Sequence, residues 1–216
     1  MASKSSDAVV VGDARGIGEA VVRRLVVSGT CASVVVTDID AKGMEELRSS
    51  LMGYDCEVTT REVDVRDDDS VNELVEASAG VKAVVITTGF FAASPSLETG
   101  RQELRRILNV NCEDVFFVAQ AFARQVVASG EGSIVAISSI AARMPRMREA
   151  AYSASKAGLR QALQVLGMEV ASLGVRINMV AQGDPEAFRI RIPMGKVATL
   201  RTSRRPWSFC SFMATT

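Results

Sequence analysis

Apolar and polar positions fall into alternating short blocks along most of this chain. Ala8 to Val11 is an apolar run, GDARGIG (Gly12 to Gly18) is a glycine-rich turn, and Ile17, Val21 and Leu25 then recur at helical spacing. The alternation continues. Further strands are predicted at Ser33 to Thr37, near Val58 to Val63, and at Ala83 to Thr87, Ile134 to Ile137 and Val175 to Ala181. A long helical stretch is predicted from Arg101 to Ser129, and another opens at Tyr152 and Lys156. Strands alternating with helices predict an α/β protein: a doubly wound, Rossmann-like parallel sheet with helices on both faces and right-handed crossovers. In such a sheet ligands bind outside the carboxyl ends of the strands.

At 216 residues the length fits one domain, and no internal repeat or low-complexity segment interrupts it. Apolar residues make up 48% and the formal net charge is zero, so nothing in the composition suggests a polyanion partner, an acidic tail or disorder. The expected partner is a small molecule, not a nucleic acid. The start MASKSSD has no apolar stretch of a signal peptide, and no apolar run nears the roughly 18 residues of a membrane span, so a cytoplasmic protein with no membrane partner is expected. Cys31, Cys56, Cys112 and Cys210 lack Cys-x-x-Cys spacing, which favours free thiols over a metal site. Histidine is absent. That removes Ser-His triads and His-ligated zinc, and leaves Tyr, Lys, Cys and carboxylates as proton carriers.

Three places carry candidate chemistry. Glycines at 12, 16 and 18, between a strand and a helix, allow a tight turn, close backbone approach to a pyrophosphate and an exposed helix N-terminus. Asp38, twenty residues past Gly18 at a strand end, is placed to meet ribose hydroxyls; an ordinary turn aspartate is the alternative. A carboxylate there repels a 2'-phosphate and favours NAD over NADP. Tyr152 and Lys156 stand four residues apart, on one helix face. A phenol with the ordinary pKa near 10 is a poor base at neutral pH, and lowering it by ~3 units takes about 4 kcal/mol. A neighbouring ammonium favours the phenolate. Ser139, at a strand end, could hold a carbonyl or alcohol oxygen beside that phenol.

Ser139, Tyr152 and Lys156, with thirteen positions from serine to tyrosine and Ala-Ser-Lys-Ala-Gly following it, resemble the catalytic stretch of the short-chain dehydrogenases/reductases. The Gly-x-x-x-Gly-x-Gly turn is similar to that family's cofactor loop, although Val11 stands where threonine is usual. The resemblance implies an NAD(P)-dependent alcohol dehydrogenase or ketoreductase, homo-oligomeric as family members are. Tyr152 would be the acid/base, Lys156 would tune it and hold the nicotinamide ribose, and Ser139 would fix substrate oxygen. Gly12, Arg15, Gly16, Ile17 and Gly18 would form the cofactor loop, with Asp64 and Val65 as the adenine-contacting pair. Asp64 is otherwise a charged strand end. Arg15 pulls toward NADP, since NADP users of the family often carry a basic residue there; Asp38 is the stronger signal, so NAD is expected. Gly89 lies in the fourth-strand loop, where Ile86 and Thr87 replace two family asparagines and leave side-chain support of the loop in question. Asn111 is either a satisfied core amide or, by resemblance, the holder of a relay water beside the lysine. In Gly-Val-Arg-Ile-Asn-Met-Val-Ala-Gln-Gly, Gln182 replaces the family's proline, and the threonine expected soon after Gly183 is missing.

Two stretches, Ala141 to Lys156 and Gly183 to Lys196, are similar to the 2,3-dihydro-2,3-dihydroxybenzoate dehydrogenases of siderophore biosynthesis. That resemblance implies a ring-carboxylate substrate, and Arg146, on the loop after Ser139, is its candidate partner unless it is a solvated surface arginine. A 3-oxoacyl-carrier-protein reductase and a non-catalytic dinucleotide-binding member are the other readings. The dehydrogenase domain is expected to span 1–199. Residues 200–216, LRTSRRPWSFCSFMATT, show neither helix nor strand periodicity. Read in a shifted frame with GC-rich codons they give PADVAAAVVVLLLHGDD, the helix the family carries next. The expectation is therefore a one-base deletion near codon 199 and an incomplete C-terminal part.

Overall fold

The first strand, β1 (Ala8–Val11), is a run of four small apolar residues that leaves no polar side chain to face water, and it lies buried between two neighbours. The computed structural model describes residues 7–12 and 14–182. In order along the chain follow α1 (Gly16–Val27), β2 (Ser33–Asp38), α2 (Ala41–Ser50), β3 (Glu57–Glu62), α3 (Asp68–Ala77), β4 (Ala83–Ile86), α4 (Arg101–Leu108), α5 (Val115–Ser129), β5 (Gly132–Ser139), α6 (Ala150–Val170) and β6 (Val175–Gln182). The described strands form one sheet in the order β3-β2-β1-β4-β5-β6, and every pairing is parallel. Ala8 is in register with Val34 on one side and Ala83 on the other.

Strand pleating splits the apolar residues between two cores. Val9 and Val11 join Phe122, Leu159 and Leu163 on one face, while Ala8 and Val10 join Val22, Val36, Met44 and Leu47 on the other. Each large side chain withdrawn in this way contributes roughly 1.5–3 kcal/mol. β3 closes one edge with the sequence EVTTRE, mostly exposed, and its charges protect that edge from pairing with another chain.

The predicted elements are in place, with local corrections. The face that α1 buries is Gly18, Val22 and Val26, one residue on from the predicted 17, 21 and 25; Val21 and Leu25 flank it, which leaves Ile17 for the cleft described below. The stretch from Arg101 to Ser129 is not one regular α-helix. A π-helical turn, Asn109–Asp114, separates α4 from α5. The expectations placed on Gly183 to Lys196 and on residues 200–216 fall outside the described residues.

β1 pairs with β2 on one side and β4 on the other, so the connections leaving it diverge. The crevice at that divergence lies at the carboxyl ends of the strands, where this class of sheet binds ligands.

Candidate active site

The glycine turn leaves β1 at Gly12, whose φ of 86° suits glycine. A Cβ there would come within 2.5 Å of the Thr88 hydroxyl, so the turn and the β4 loop touch with no room for a side chain. Gly16, at φ 64°, has no atom within 4 Å of where its Cβ would stand, so its open side faces approach from outside. Arg15, the N-cap of α1, adds no side-chain cap, which leaves the first-turn amides of α1 to meet an anion. A cleft of about 650 Å³ runs past these residues, lined by Gly12, Arg15, Ile17, Gly18, Asp38 and Gly89 among others. That volume lies within the roughly 300–1,000 Å³ of small-molecule sites.

Asp38 ends β2 with its carboxylate fixed from two sides. One oxygen accepts the Ala14 N–H and the other the Asp40 N–H, each at 3.0 Å. The side chain is thus aimed by backbone amides on the wall of the cleft. Asp64 and Val65 are placed differently and are not among the cleft's described lining residues. Arg66 engages Asp64 through its Nε at 2.8 Å and through its backbone N–H at 3.0 Å, and holds that carboxyl below the usual range. Val65 packs against the buried cluster around Val9.

Support for the β4 loop comes from Thr87, which replaces one of the two asparagines, and from its neighbour Thr88. Thr87 donates its hydroxyl to the Val11 carbonyl at 3.1 Å and also reaches the Gly12 carbonyl, and Thr88 donates to Val11 at 3.3 Å. Asn111, fully buried in the π-helical turn, completes it. Its Oδ1 accepts the Phe90 N–H and its Nδ2 donates to the Phe90 carbonyl, both at 2.8 Å. The side chain is a satisfied amide that pins the loop. The same turn departs from regular i→i−4 bonding, a common feature of functional sites.

Gly89 joins the two halves of the site. It lines the cleft, and a Cβ on it would stand 3.0 Å from Asn111 Oδ1 and 3.2 Å from Lys156 Nζ. Lys156 is 4% exposed and donates to the Ile137 carbonyl of β5 at 3.1 Å. Burial pushes its pKa down to about 8, so near neutral pH it is still mainly an ammonium. Tyr152 precedes it by one turn of α6, its ring edge-on to Phe91 with centroids 5.0 Å apart. Ser139, at the end of β5, accepts the Ala141 N–H at 3.1 Å, and its hydroxyl proton is left to point at a ligand oxygen. The buried Lys156 ammonium thus stands beside Gly89, which lines the cleft. The Tyr152 phenol comes one helical turn before that lysine, and the Ser139 hydroxyl is at the end of the strand that Lys156 engages. The set can exchange a proton at an alcohol or carbonyl oxygen. Arg146, half-exposed on the loop before α6, pairs with Glu149 at 3.5 Å.

Among the described residues no helix is long and apolar enough to cross a membrane, and no cluster of Cys, Asp or Glu is arranged to hold a metal ion.

The short chain dehydrogenase family matches residues 6–187, a span that holds all of these elements. The chain belongs to that family. This short-chain dehydrogenase is 32% identical to the vibriobactin-specific 2,3-dihydro-2,3-dihydroxybenzoate dehydrogenase of Vibrio cholerae, over 92% of the chain and 86% of the relative. It is 31% identical to the 2,3-dihydro-2,3-dihydroxybenzoate dehydrogenase of Bacillus subtilis, over 83% and 69% of the two chains. It is 32% identical to the cis-4-hydroxycyclohexanecarboxylate dehydrogenase of Sinomonas cyclohexanicum, over 82% and 72%. The fold is shared with a short-chain type dehydrogenase/reductase from Mycobacterium marinum, with a TM-score of 0.78 at 24% identity over 88% and 80% of the chains.

Several residues of this short-chain dehydrogenase's site were not singled out from sequence. Phe90 and Phe91 follow Gly89 directly, yet nothing in their spacing says that one is clamped by Asn111 and the other faces Tyr152. Ser155 accepts a long 3.4 Å contact from Asn111 and is itself anchored on the Tyr152 carbonyl at 2.8 Å, which ties the π-helical turn to α6. Asp40, paired with Arg15, had no signal beyond its acidity.

Proposed function

We propose that this short-chain dehydrogenase uses NAD to oxidise a ring alcohol of 2,3-dihydro-2,3-dihydroxybenzoate, giving 2,3-dihydroxybenzoate for siderophore biosynthesis. One observation carries the substrate class: the three relatives above are each named for a hydroxylated six-membered ring that bears a carboxylate. The cradle suits the cofactor, since glycine at 12 and 89 lets the turn, the β4 loop and Lys156 close together where a side chain would collide, and Gly16 keeps an open approach. Gly12 to Gly18 would hold the pyrophosphate, Asp38 the adenosine ribose hydroxyls, and Lys156 the nicotinamide ribose. Bound NAD supplies the hydride acceptor.

The chain's own residues do the proton chemistry. Ser139 holds the substrate oxygen by its hydroxyl, and Tyr152 takes the proton from that oxygen while the carbon bearing it gives up hydride to the dinucleotide and becomes a carbonyl. Lys156, kept cationic at neutral pH, stabilises the phenolate that accepts the proton. Asn111 keeps the Gly89 loop against both. The ketone so formed on the ring tautomerises to the aromatic catechol.

Arg146 would meet the substrate carboxylate by releasing Glu149. Arg146→Ala is expected to raise KM for the ring carboxylate about tenfold or more and to leave a neutral cyclic diol within about twofold. Steady-state kinetics with both substrates measures this, and equal effects would remove the role. Asp38→Asn keeps an acceptor for the turn but loses the charge. The preference for NAD over NADP should then narrow about tenfold, and an unchanged ratio would return Asp38 to a purely structural place.

A further inference from the structure

The adenosine end of the cleft carries a second carboxylate. Asp40 stands two residues past Asp38, caps α2 by accepting the Gly43 N–H at 3.0 Å, and forms an ion pair with Arg15 of the glycine turn. Asp38, Asp40 and Arg15 all line the same cleft, and Arg15 is the only cation among its described lining residues. The pair is open to solvent, with side chains 82% and 26% exposed. Asp40 lies below its usual range and Arg15 above its own because each hydrogen-bonds the other. The adjoining recess repeats the arrangement: Arg23 is paired with Glu19 at 2.8 Å and Lys42 with Glu46 at 3.6 Å. The cations at this end of the site are therefore already matched by carboxylates.

We propose that Asp40 sets this protein's choice between dinucleotides by occupying Arg15: the Arg15–Asp40 pair beside Asp38 disfavours a phosphate on the adenosine ribose, and freeing Arg15 admits one. The inference rests on reading the cleft as a dinucleotide site. Two carboxylates against one guanidinium leave this end with one net negative charge among the described lining residues. A ribose phosphate adds nearly two more. It meets repulsion from Asp38 and Asp40, and must compete with Asp40 for the one donor able to bind it through two parallel N–H bonds. Because the pair is exposed, its bias is modest and screened by salt, so a single substitution is able to lift it. Asp40 acts through Arg15 and is a positioning residue.

The test is equilibrium binding of NAD and NADP to the full chain by calorimetry, at low and high salt. Asp40→Ser is the variant of choice, because serine keeps an oxygen to cap α2 but cannot pair with Arg15. The expected result is an NADP affinity about tenfold tighter than wild type, the scale of one charge-assisted contact, with NAD within about twofold. The gain should shrink as salt rises, and adding Arg15→Ala should abolish it. An unchanged NADP affinity, or a gain that survives loss of Arg15, would overturn the proposal while NAD binding still upheld the dinucleotide reading. Failure of wild type and variant alike to bind either dinucleotide would overturn that reading and this proposal with it.

Discussion

Tyr152→Phe is expected to lower turnover by about three orders of magnitude and to leave dinucleotide affinity within about threefold, the loss usual for removing one general acid/base. The substitution deletes one oxygen. The ring lies edge-on to Phe91 at 5.0 Å, and phenylalanine keeps that contact, so α6 and the loop it faces have no reason to move. In the proposed roles Lys156 and the glycine turn carry the hold on the dinucleotide while the Tyr152 oxygen carries the proton, which is why cofactor affinity should hold. Single-turnover kinetics and a binding isotherm on the same preparation separate the two effects. A variant that keeps a tenth of wild-type turnover would show that another group carries the proton.

Lys156→Met is expected to abolish turnover and yet stabilise the free protein at neutral pH. Lys156 is 4% exposed and its pKa falls from 10.5 to about 8 on burial. The unfolded chain therefore holds a proton between pH 8 and 10.5 that the folded chain has lost, so wild-type stability should rise with pH across that window. Below pH 8 both states are charged and the fold bears the whole cost of burying an ammonium, about 3 kcal/mol for such a shift. Methionine has similar reach and no charge, but it leaves the Ile137 carbonyl without its 3.1 Å partner, which returns about 1–2 kcal/mol. The net expectation is a gain of about 1–2 kcal/mol at pH 7 that closes between pH 8 and 10.5. Denaturant unfolding at pH 7 and pH 10 measures it. A variant less stable than wild type by a constant amount at both pH values would show that the lysine is held without cost. Stability given up at this position is the expected signature of a group kept for chemistry.

What could be read in the sequence was set by local pattern. The valine blocks of β1 and β2 and the glycine turn announce themselves, because buried parallel strands need continuous apolar runs and the turn needs residues without side chains. Ser139, Tyr152 and Lys156 were singled out by their spacing together with the family resemblance, and the structure places Lys156 against both β5 and Gly89. Features that depend on distant contacts were not legible. The π-helical turn at Asn109–Asp114 follows from Asn111 reaching across 21 residues to Phe90, and no local periodicity marks that. The buried face of α1 is offset by one residue because Gly18 packs closely while Ile17 is given to the cleft. Thr87 was read as a loss of loop support, yet its hydroxyl bonds the β1 end 75 residues earlier in the chain. Arg15 pointed toward NADP in isolation, and only the fold shows Asp40 beside it.

The most direct test of the account is to supply the full chain with NAD and 2,3-dihydro-2,3-dihydroxybenzoate and to follow reduced nicotinamide and aromatic product in the same cuvette. The account predicts that both appear together, one reduced nicotinamide for each catechol, and that Tyr152→Phe suppresses both. NAD binding without either product, or faster turnover of an acetoacetyl thioester with NADPH, would contradict it.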